Sequence, residues 1–264
     1  MTKFAVLCKA PPKIPESLSL TDSLHSQAKA LFALVQTVNE ATAGHYFWLK
    51  VRDASEAVFA SLAAVAQSFV GEALLERQMQ VVSTRKLWDS CKMLQAVPKN
   101  DAFAVALVLQ NSLELIDDAI SEVGTSTEWE QEGCTAHEEA PEKDQEIVSL
   151  ARELIQGCFA FLKKSLIYSV ERDDSTPETV QWLDLYCREA LRLEVLVDIV
   201  CTALFCPMDK DAVCDGCRQI VQVIDNLMNI LKQELPDTLT CWMSKYPAFF
   251  SGKLSAISER HPER

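Results

Sequence analysis

The chain has 264 residues, of which 48% are hydrophobic and 24% charged, enough apolar sequence for one large domain or two small ones. Its formal net charge of -13 argues against a DNA- or RNA-binding protein, because such proteins hold phosphates with clustered lysine and arginine. Only seven glycines are present, which disfavours sheets with tight turns and glycine-rich phosphate loops, and no apolar run approaches the roughly 18 residues of a membrane helix.

After a proline-containing leader over residues 1–20, the first half of the chain is predicted to form four helices, the first starting at Thr21. The third is predicted to begin with Ser83 or Thr84 as its N-cap, and the fourth has Asn100 as its N-cap. Each helix carries one apolar stripe at alternating four- and three-residue spacing. The stripes are Leu24, Ala28, Leu31, Val35 and Val38; Val51, Ser55, Val58, Leu62, Val65 and Phe69; Leu87, Cys91 and Leu94; and Ala102, Ala106, Leu109, Leu113, Ile116, Ile120 and Val123.

From residue 124 to residue 144 the composition changes to seven acidic residues and a single lysine. This stretch predicts a mobile acidic loop that separates two helical bundles, at 21–123 and 145–236. Trp129 is flanked by carboxylates and is either a docking anchor for a partner or a side chain that folds back onto the bundle. The candidate partner-binding residues of the loop are Glu128, Trp129, Glu130, Glu138 and Glu139.

The second half is predicted to form three further helices, with residues 237–264 as a short helix and tail. The second of these helices has two possible starts: a capping box of Ser175 with Glu178, or Thr176 as N-cap followed by Pro177. The apolar stripes are Ile147, Ala151, Leu154, Cys158, Phe161, Ser165 and Tyr168; Tyr186, Ala190, Leu193, Val197, Val200 and Leu204; and Val213, Cys217, Ile220, Ile224, Leu227 and Leu231.

Helices of this kind, joined by short links, predict an all-α protein made of antiparallel helical bundles in two halves. No segment alternates polar and apolar residues with the period of two that a strand requires, so a sheet is not expected. Four tryptophans lie in or beside predicted helices and are expected in the core or at a groove edge: Trp48, Trp88, Trp182 and Trp242.

The sequence offers little that resembles an active site. Cys214 and Cys217 form a CxxC, with Cys201 and Cys206 upstream, a set that is either a zinc site or, as the apolar pattern around Cys217 favours, buried thiols. The Glu-x-x-His motif of di-iron bundles, the G-x-S-x-G elbow and the phosphate-binding loops are all absent. We therefore predict no enzyme, no catalytic residue, no cofactor and no bound metal.

The segment from Leu87 to Val123, LWDSCKMLQAVPKNDAFAVALVLQNSLELIDDAISEV, resembles the cyclin-D-interacting protein family, also described as Id-like or maternal-inhibitor-like helix-loop-helix proteins. The resemblance covers roughly residues 19–235, and it includes the acidic loop and the Lys163-Lys164 pair of the next helix. The residues that stand at matching places are Trp88, Cys91, Pro98, Ala104, Leu107, Leu109, Asp118 and Ala119.

The resemblance implies a two-part helical bundle, distantly similar to vinculin- and catenin-type bundles. It also implies binding of D-type cyclins and helix-loop-helix factors in cytoplasm and nucleus, with restraint of cell-cycle progression and transcription. Family members lack a basic region, so direct contact with nucleic acid is not expected. They usually carry further helical sequence ahead of the point where this chain begins, so we expect either an uncovered apolar groove or a shortened isoform.

A non-enzymatic regulator that binds a cell-cycle or transcription partner is therefore the favoured function. The alternative from the structural class is a vinculin-like scaffold for cytoskeletal or signalling partners, which the lack of basic helix faces disfavours. A third possibility is metal-dependent or redox chemistry at Cys214 and Cys217. Ten cysteines scattered without a framework are typical of reduced thiols in the cytoplasm or nucleus.

Overall fold

A computed structural model of the chain describes residues 14–39, 43–68, 75–125, 142–170, 176–205, 207–234, 236 and 241–260. Within these ranges the backbone forms α-helices and one 3-10 helix, without a strand, so the predicted all-α fold is confirmed. None of these helices is long and apolar enough to cross a membrane. The helices are α1 (Ile14–Thr37), α2 (His45–Gln67), α3 (Leu75–Gln95), α4 (Asp101–Thr125), α5 (Glu142–Val170), α6 (Pro177–Leu204), α7 (Lys210–Glu234), the 3-10 helix (Cys241–Lys245) and α8 (Tyr246–Arg260).

The chain divides into two compact units, residues 1–104 and 105–264. The division falls inside α4, which carries an unbroken apolar stripe, so hydrophobic periodicity gives no sign of it. The boundary expected within residues 124–144 falls inside the second unit, and residues 126–141 are outside the described part of the chain.

Unit 1 is built around the contact between α2 and α3, with α1 against α2. Ser61 of α2 and Ser90 of α3 share a hydrogen bond of 2.9 Å across this contact. Gly44 precedes α2 with a φ of 69°, a left-handed conformation that glycine adopts without strain. The core combines buried and partly buried residues of the predicted stripes: Val58, Val65 and Leu87, packed by Leu31, Leu62, Cys91 and Leu94.

Unit 2 is centred on α6 and α7, which form its most extensive helix pair. The two helices are antiparallel, because the Trp182 indole near the start of α6 donates to the Ile230 carbonyl near the end of α7 at 3.0 Å. At the other end, Gly216 of α7 lies against Val200 of α6. Every predicted stripe residue of these two helices is buried, so the stripes of α6 and α7 were predicted correctly.

The C-terminal helix α8 packs on α5 and also contacts α7. It runs antiparallel to α5, since Lys253 pairs with Glu153 and Arg260 with Glu146, each at 2.5 Å. The 3-10 helix and α8 together bury four side chains: Met243, Tyr246, Phe250 and Ile257. Residues 241–260 are therefore an integral layer of unit 2.

Two helices begin earlier than the sequence pattern predicts. Helix α1 starts at Ile14 instead of Thr21, and its second residue is a proline. The first helical turn accepts proline, because the N–H that proline lacks would have no hydrogen-bond partner within the helix there. Helix α3 starts at Leu75, eight residues ahead of Ser83. The intervening sequence, LERQMQVV, contains mostly strong helix formers, whose intrinsic preference for the helix favours the earlier start.

Of the predicted N-caps in the described ranges, Asn100 and Thr176 are present. Ser83 and Thr84 lie inside α3 and do not cap it, because the helix begins at Leu75. The Asn100 side-chain oxygen accepts a hydrogen bond of 3.0 Å from the Phe103 N–H at the start of α4. The Thr176 hydroxyl accepts one of 3.2 Å from the Thr179 N–H at the start of α6. Of the two starts proposed for α6, the one with Thr176 as N-cap is confirmed.

Candidate partner-binding surfaces

The predicted partner-binding residues lie between α4 and α5, outside the described part of the chain. The helices on either side end at Thr125 and begin at Glu142, close to the limits set by composition. The loop residues thus remain a prediction: Glu128, Trp129, Glu130, Glu138 and Glu139.

The two cysteines of the CxxC lie on α7 and face the core of unit 2, where both are buried. Burial, together with the neighbouring Cys214 and Cys201 thiols, raises the pKa of Cys217 to about 12. A thiol with such a pKa keeps its proton at neutral pH and supplies little thiolate for redox exchange. In the described ranges no three His, Cys, Asp or Glu side chains are placed to hold a metal ion, and Cys206 lies outside those ranges.

Helix α3 carries a second patterned face on the side opposite its core residues. Val81, Arg85, Trp88 and Lys92 follow one another at spacings of four, three and four residues, so they lie along one line of the helix. Val81 is 70% exposed and Trp88 48% exposed, and both basic side chains are exposed too. These four residues are referred to below as the outer face of α3.

The exposure of Trp88 departs from the expectation for tryptophans on helices. Trp182 is buried, and Trp48 and Trp242 are partly buried, as expected for core or groove-edge side chains. Trp88 is exposed because Leu87, its neighbour in the chain, takes the core position of that helical turn. The line of alternating apolar and basic residues was a usable signal, but a search for purely apolar stripes passes over it.

Helices of unit 2, α4 and α6 among them, also expose large apolar side chains. On α4 these are Leu107 and Leu115, and on α6 they are Val195 and Ile199. The exposed charged residues of α4 are all acidic: Glu114, Asp117, Asp118 and Glu122. Helix α4 thus combines apolar with acidic side chains, whereas the outer face of α3 combines apolar with basic ones. Exposed helix faces of this composition are typical of protein–protein contacts.

Comparison with known proteins shows which sequences this chain is similar to. A family model described as "Grap2 and cyclin-D-interacting, N-terminal" matches residues 1–129, which include α3 and all of α4. A protein of Danio rerio named "Cyclin-D1-binding protein 1 homolog" is 26% identical over 218 residues, 71% of this chain and 62% of the relative. A Xenopus laevis protein of the same name is 22% identical over 182 residues, 63% of this chain and 55% of the relative. The chain thus spans less than two thirds of either relative, and the predicted relationship to the cyclin-D-interacting proteins is confirmed.

Proposed function

We propose that this chain, a relative of the cyclin-D-interacting proteins, is a non-enzymatic protein that binds a D-type cyclin. The observation that carries the proposal is the match of the family model to residues 1–129. The names of both relatives describe binding proteins and not enzymes. The exposed apolar side chains of α3 and α4, which lie within the matched part, are suited to a protein partner.

The finer part of the proposal is that helix-loop-helix factors are further partners, through which the protein restrains transcription and cell-cycle progression. A helix-loop-helix dimer made with the apolar stripes of α4 and α5 is disfavoured, because most residues of these stripes are already buried. Ile116 of α4 and Leu154 of α5 are examples, with 1% and 0% exposure. We therefore expect such factors to bind an outward helix face or the acidic loop.

The test is calorimetric titration of the purified chain with a purified D-type cyclin. A dissociation constant of about 1 µM or below, equivalent to about -8 kcal/mol, supports the proposal. A second protein, in which residues 126–141 are replaced by a Gly/Ser linker of equal length, tests the acidic loop without shortening the connection between α4 and α5. Loss of binding in that protein locates the contact in the loop, and unchanged binding points to the helix faces.

A matched variant separates charge from the aromatic ring within the loop. Trp129→Ala keeps every carboxylate, whereas the set Glu128→Gln, Glu130→Gln keeps the tryptophan.

If the wild-type chain fails to bind cyclin at about 100 µM, the cyclin activity does not extend to this chain. The scaffold alternative would then be the better account of the exposed helix faces.

A further inference from the structure

The outer face of α3 is a surface that the packing of unit 1 leaves uncovered. The core side of α3 is satisfied, since Leu87, Cys91 and Leu94 pack with the buried residues of α2. From the structure we infer that the outer face of α3 binds an acidic amphipathic helix of a protein partner. The inference goes beyond the proposed function and does not require that partner to be a cyclin.

The apolar part of the argument rests on how many large side chains this short stretch exposes. Single exposed apolar residues are normal on a protein surface and call for no explanation. On the outer face itself, Val81 is 70% exposed and Trp88 48% exposed, two helical turns apart, while the exposed Val82 and Met93 lie on a neighbouring side of α3. Tryptophan is among the residue types most enriched at the energetic centres of protein interfaces, so Trp88 is the natural anchor of this surface.

The charge of α3 indicates what the partner carries. The helix has four basic residues and two acidic ones, in a chain whose net charge is -13. Lys92 pairs with Asp89 at 3.8 Å, whereas Arg85 and Lys86 make no ion pair within the described ranges. A locally basic helix on an acidic protein attracts acidic segments and repels basic ones, so complementary charge selects an acidic partner.

The arrangement of the side chains favours a helix over a lipid surface as the occupant. A helix that lies on a membrane separates an apolar face from a basic face. On the outer face of α3 the two kinds alternate along one line, as Val81, Arg85, Trp88 and Lys92. A facing helix that alternates apolar and acidic residues can place its apolar side chains against Val81 and Trp88 and its acidic ones beside Arg85 and Lys92, as in other helix–helix contacts.

The test is selection from a display library of helical peptides on the full chain. Each peptide has about 20 residues, a fixed leucine stripe at alternating three- and four-residue spacing, and Glu or Lys at every flanking position. We expect the selected peptides to be enriched in Glu. Their affinity should fall as salt is raised from about 50 to about 300 mM, because exposed charges are screened. Enrichment of Lys, or of neither residue, would overturn the inference.

Charge reversal then locates the contact. In the double variant Arg85→Glu, Lys92→Glu, the selected acidic peptide is expected to bind about tenfold more weakly or worse. The matched control, Arg188→Glu with Lys232→Glu, makes the same change of net charge at exposed positions of unit 2. It should leave the dissociation constant within about twofold. Equal weakening in both double variants would show only a general effect of charge and would contradict the inference.

Truncation of the tryptophan tests the anchor. Trp88→Ala is expected to weaken the peptide about thirtyfold, the loss typical of a central interface aromatic, while Ile199→Ala on the exposed side of α6 should have no effect. Because both side chains are exposed, circular dichroism should show unchanged helix content in both variants. Unchanged peptide binding by Trp88→Ala would contradict the inference.

Two further occupants of the face are outcomes of the same series. Vesicles of phosphatidylserine and phosphatidylcholine test a membrane, and sedimentation of the chain alone tests a second copy. The contradicting result is an Arg85→Glu, Lys92→Glu variant that loses vesicle binding or self-association while it keeps peptide binding. In that case the outer face of α3 binds a membrane or a second copy, and the inference is wrong.

Discussion

Single residues in unit 2 show how little spare room its helix contacts leave. A Cβ added at Gly216 of α7 would lie 2.5 Å from the Val200 Cγ2 atom of α6, and Val200 is fully buried and branched at Cβ. We expect Gly216→Ala to lower the free energy of unfolding by up to about 2 kcal/mol, because overpacking costs about 1–3 kcal/mol and is offset only in part by the helix preference of alanine, about 1 kcal/mol. Urea unfolding measures the change.

Gly252 of α8 provides the matched control for this substitution. It also lies in a helix, but nothing is within 4 Å of the position its Cβ would take. Gly252→Ala should therefore raise the free energy of unfolding by about 0.5–1 kcal/mol. Stabilisation by both substitutions would show that α6 and α7 can separate slightly without cost.

The buried thiols make a second prediction at the scale of the residue. Burial raises the pKa of Cys217 to about 12 and that of Cys201 to about 11, from a usual value of 9.0. Burial also raises the pKa of Cys158, with a smaller contribution from the neighbouring Cys217. In the unfolded chain these thiols ionise near pH 9, whereas in the folded chain they stay protonated. Their stabilising contribution is therefore complete below pH 9 and is lost as the pH rises above it.

We expect the free energy of unfolding, measured with urea under reducing conditions, to fall between about pH 9 and about pH 11. Each such thiol contributes a slope of up to about 1.4 kcal/mol per pH unit. Cys217→Ala should reduce the slope by about that amount, while Ile220→Ala, which removes a buried side chain without a titratable group, should leave it unchanged. Equal slopes in all three proteins would mean that Cys217 does not control this pH dependence.

At the scale of the element, α8 shows which contacts hold a helix to its unit. Phe250 is 1% exposed and packs with Tyr246 at a ring distance of 5.9 Å, while the ion pair of Lys253 with Glu153 is partly exposed to solvent. Removing a buried aromatic side chain costs about 3–5 kcal/mol, and breaking an exposed ion pair costs about 1 kcal/mol or less.

Urea unfolding of Phe250→Ala and Lys253→Ala should therefore show losses that differ by about 2 kcal/mol or more. The second protein serves as the control, since it changes a neighbouring residue of the same helix without opening the core. Comparable losses would indicate that α8 is held by its ion pairs, against the burial seen in the structure.

The elements also show what sequence can and cannot predict in this protein. The stripes of α6 and α7 were predicted residue by residue, because each core-facing position repeats with the period of the helix. The starts of α1 and α3 were placed too late, since the four- and three-residue spacing of their apolar stripes does not continue into the sequence ahead of Thr21 and Ser83. Helix α8 was weakly patterned because it buries only Tyr246, Phe250 and Ile257.

The candidate site was harder to predict than the fold. Sequence reasoning placed the contact in the acidic loop, which lies outside the described ranges, and counted Trp88 among core or groove-edge residues. The stripe of Leu87, Cys91 and Leu94 already identified the core side of α3, and Trp88 lies outside that stripe. The exposure of Trp88 was missed because tryptophan on a helix was assigned to the core or a groove edge by residue type and not by its position on the helix.

At the scale of the whole molecule, the two units differ in how much apolar surface they bury. Among the described residues, the buried hydrophobic side chains of unit 1 are small or few: Ala54, Val58, Val65, Leu87, Ala102 and Ala104. Unit 2 buries several times as many, including large side chains such as Phe161 and Tyr186 at 0% exposure. Since stability scales with buried apolar area, unit 2 should be the more stable of the two.

We therefore expect urea to unfold the chain in two steps, unit 1 first. Leu87→Ala in unit 1 and Leu193→Ala in unit 2 remove the same side chain from positions 3% and 0% exposed, and each should cost its own unit about 2–5 kcal/mol. Hydrogen exchange read by mass spectrometry assigns each step, because protection of α2 and α3 should be lost in the first and that of α6 and α7 in the second. Leu87→Ala should shift only the first midpoint and Leu193→Ala only the second. A single transition that both substitutions shift equally would mean that the units unfold as one cooperative body, since a stability shared across the whole chain responds to a loss in either unit.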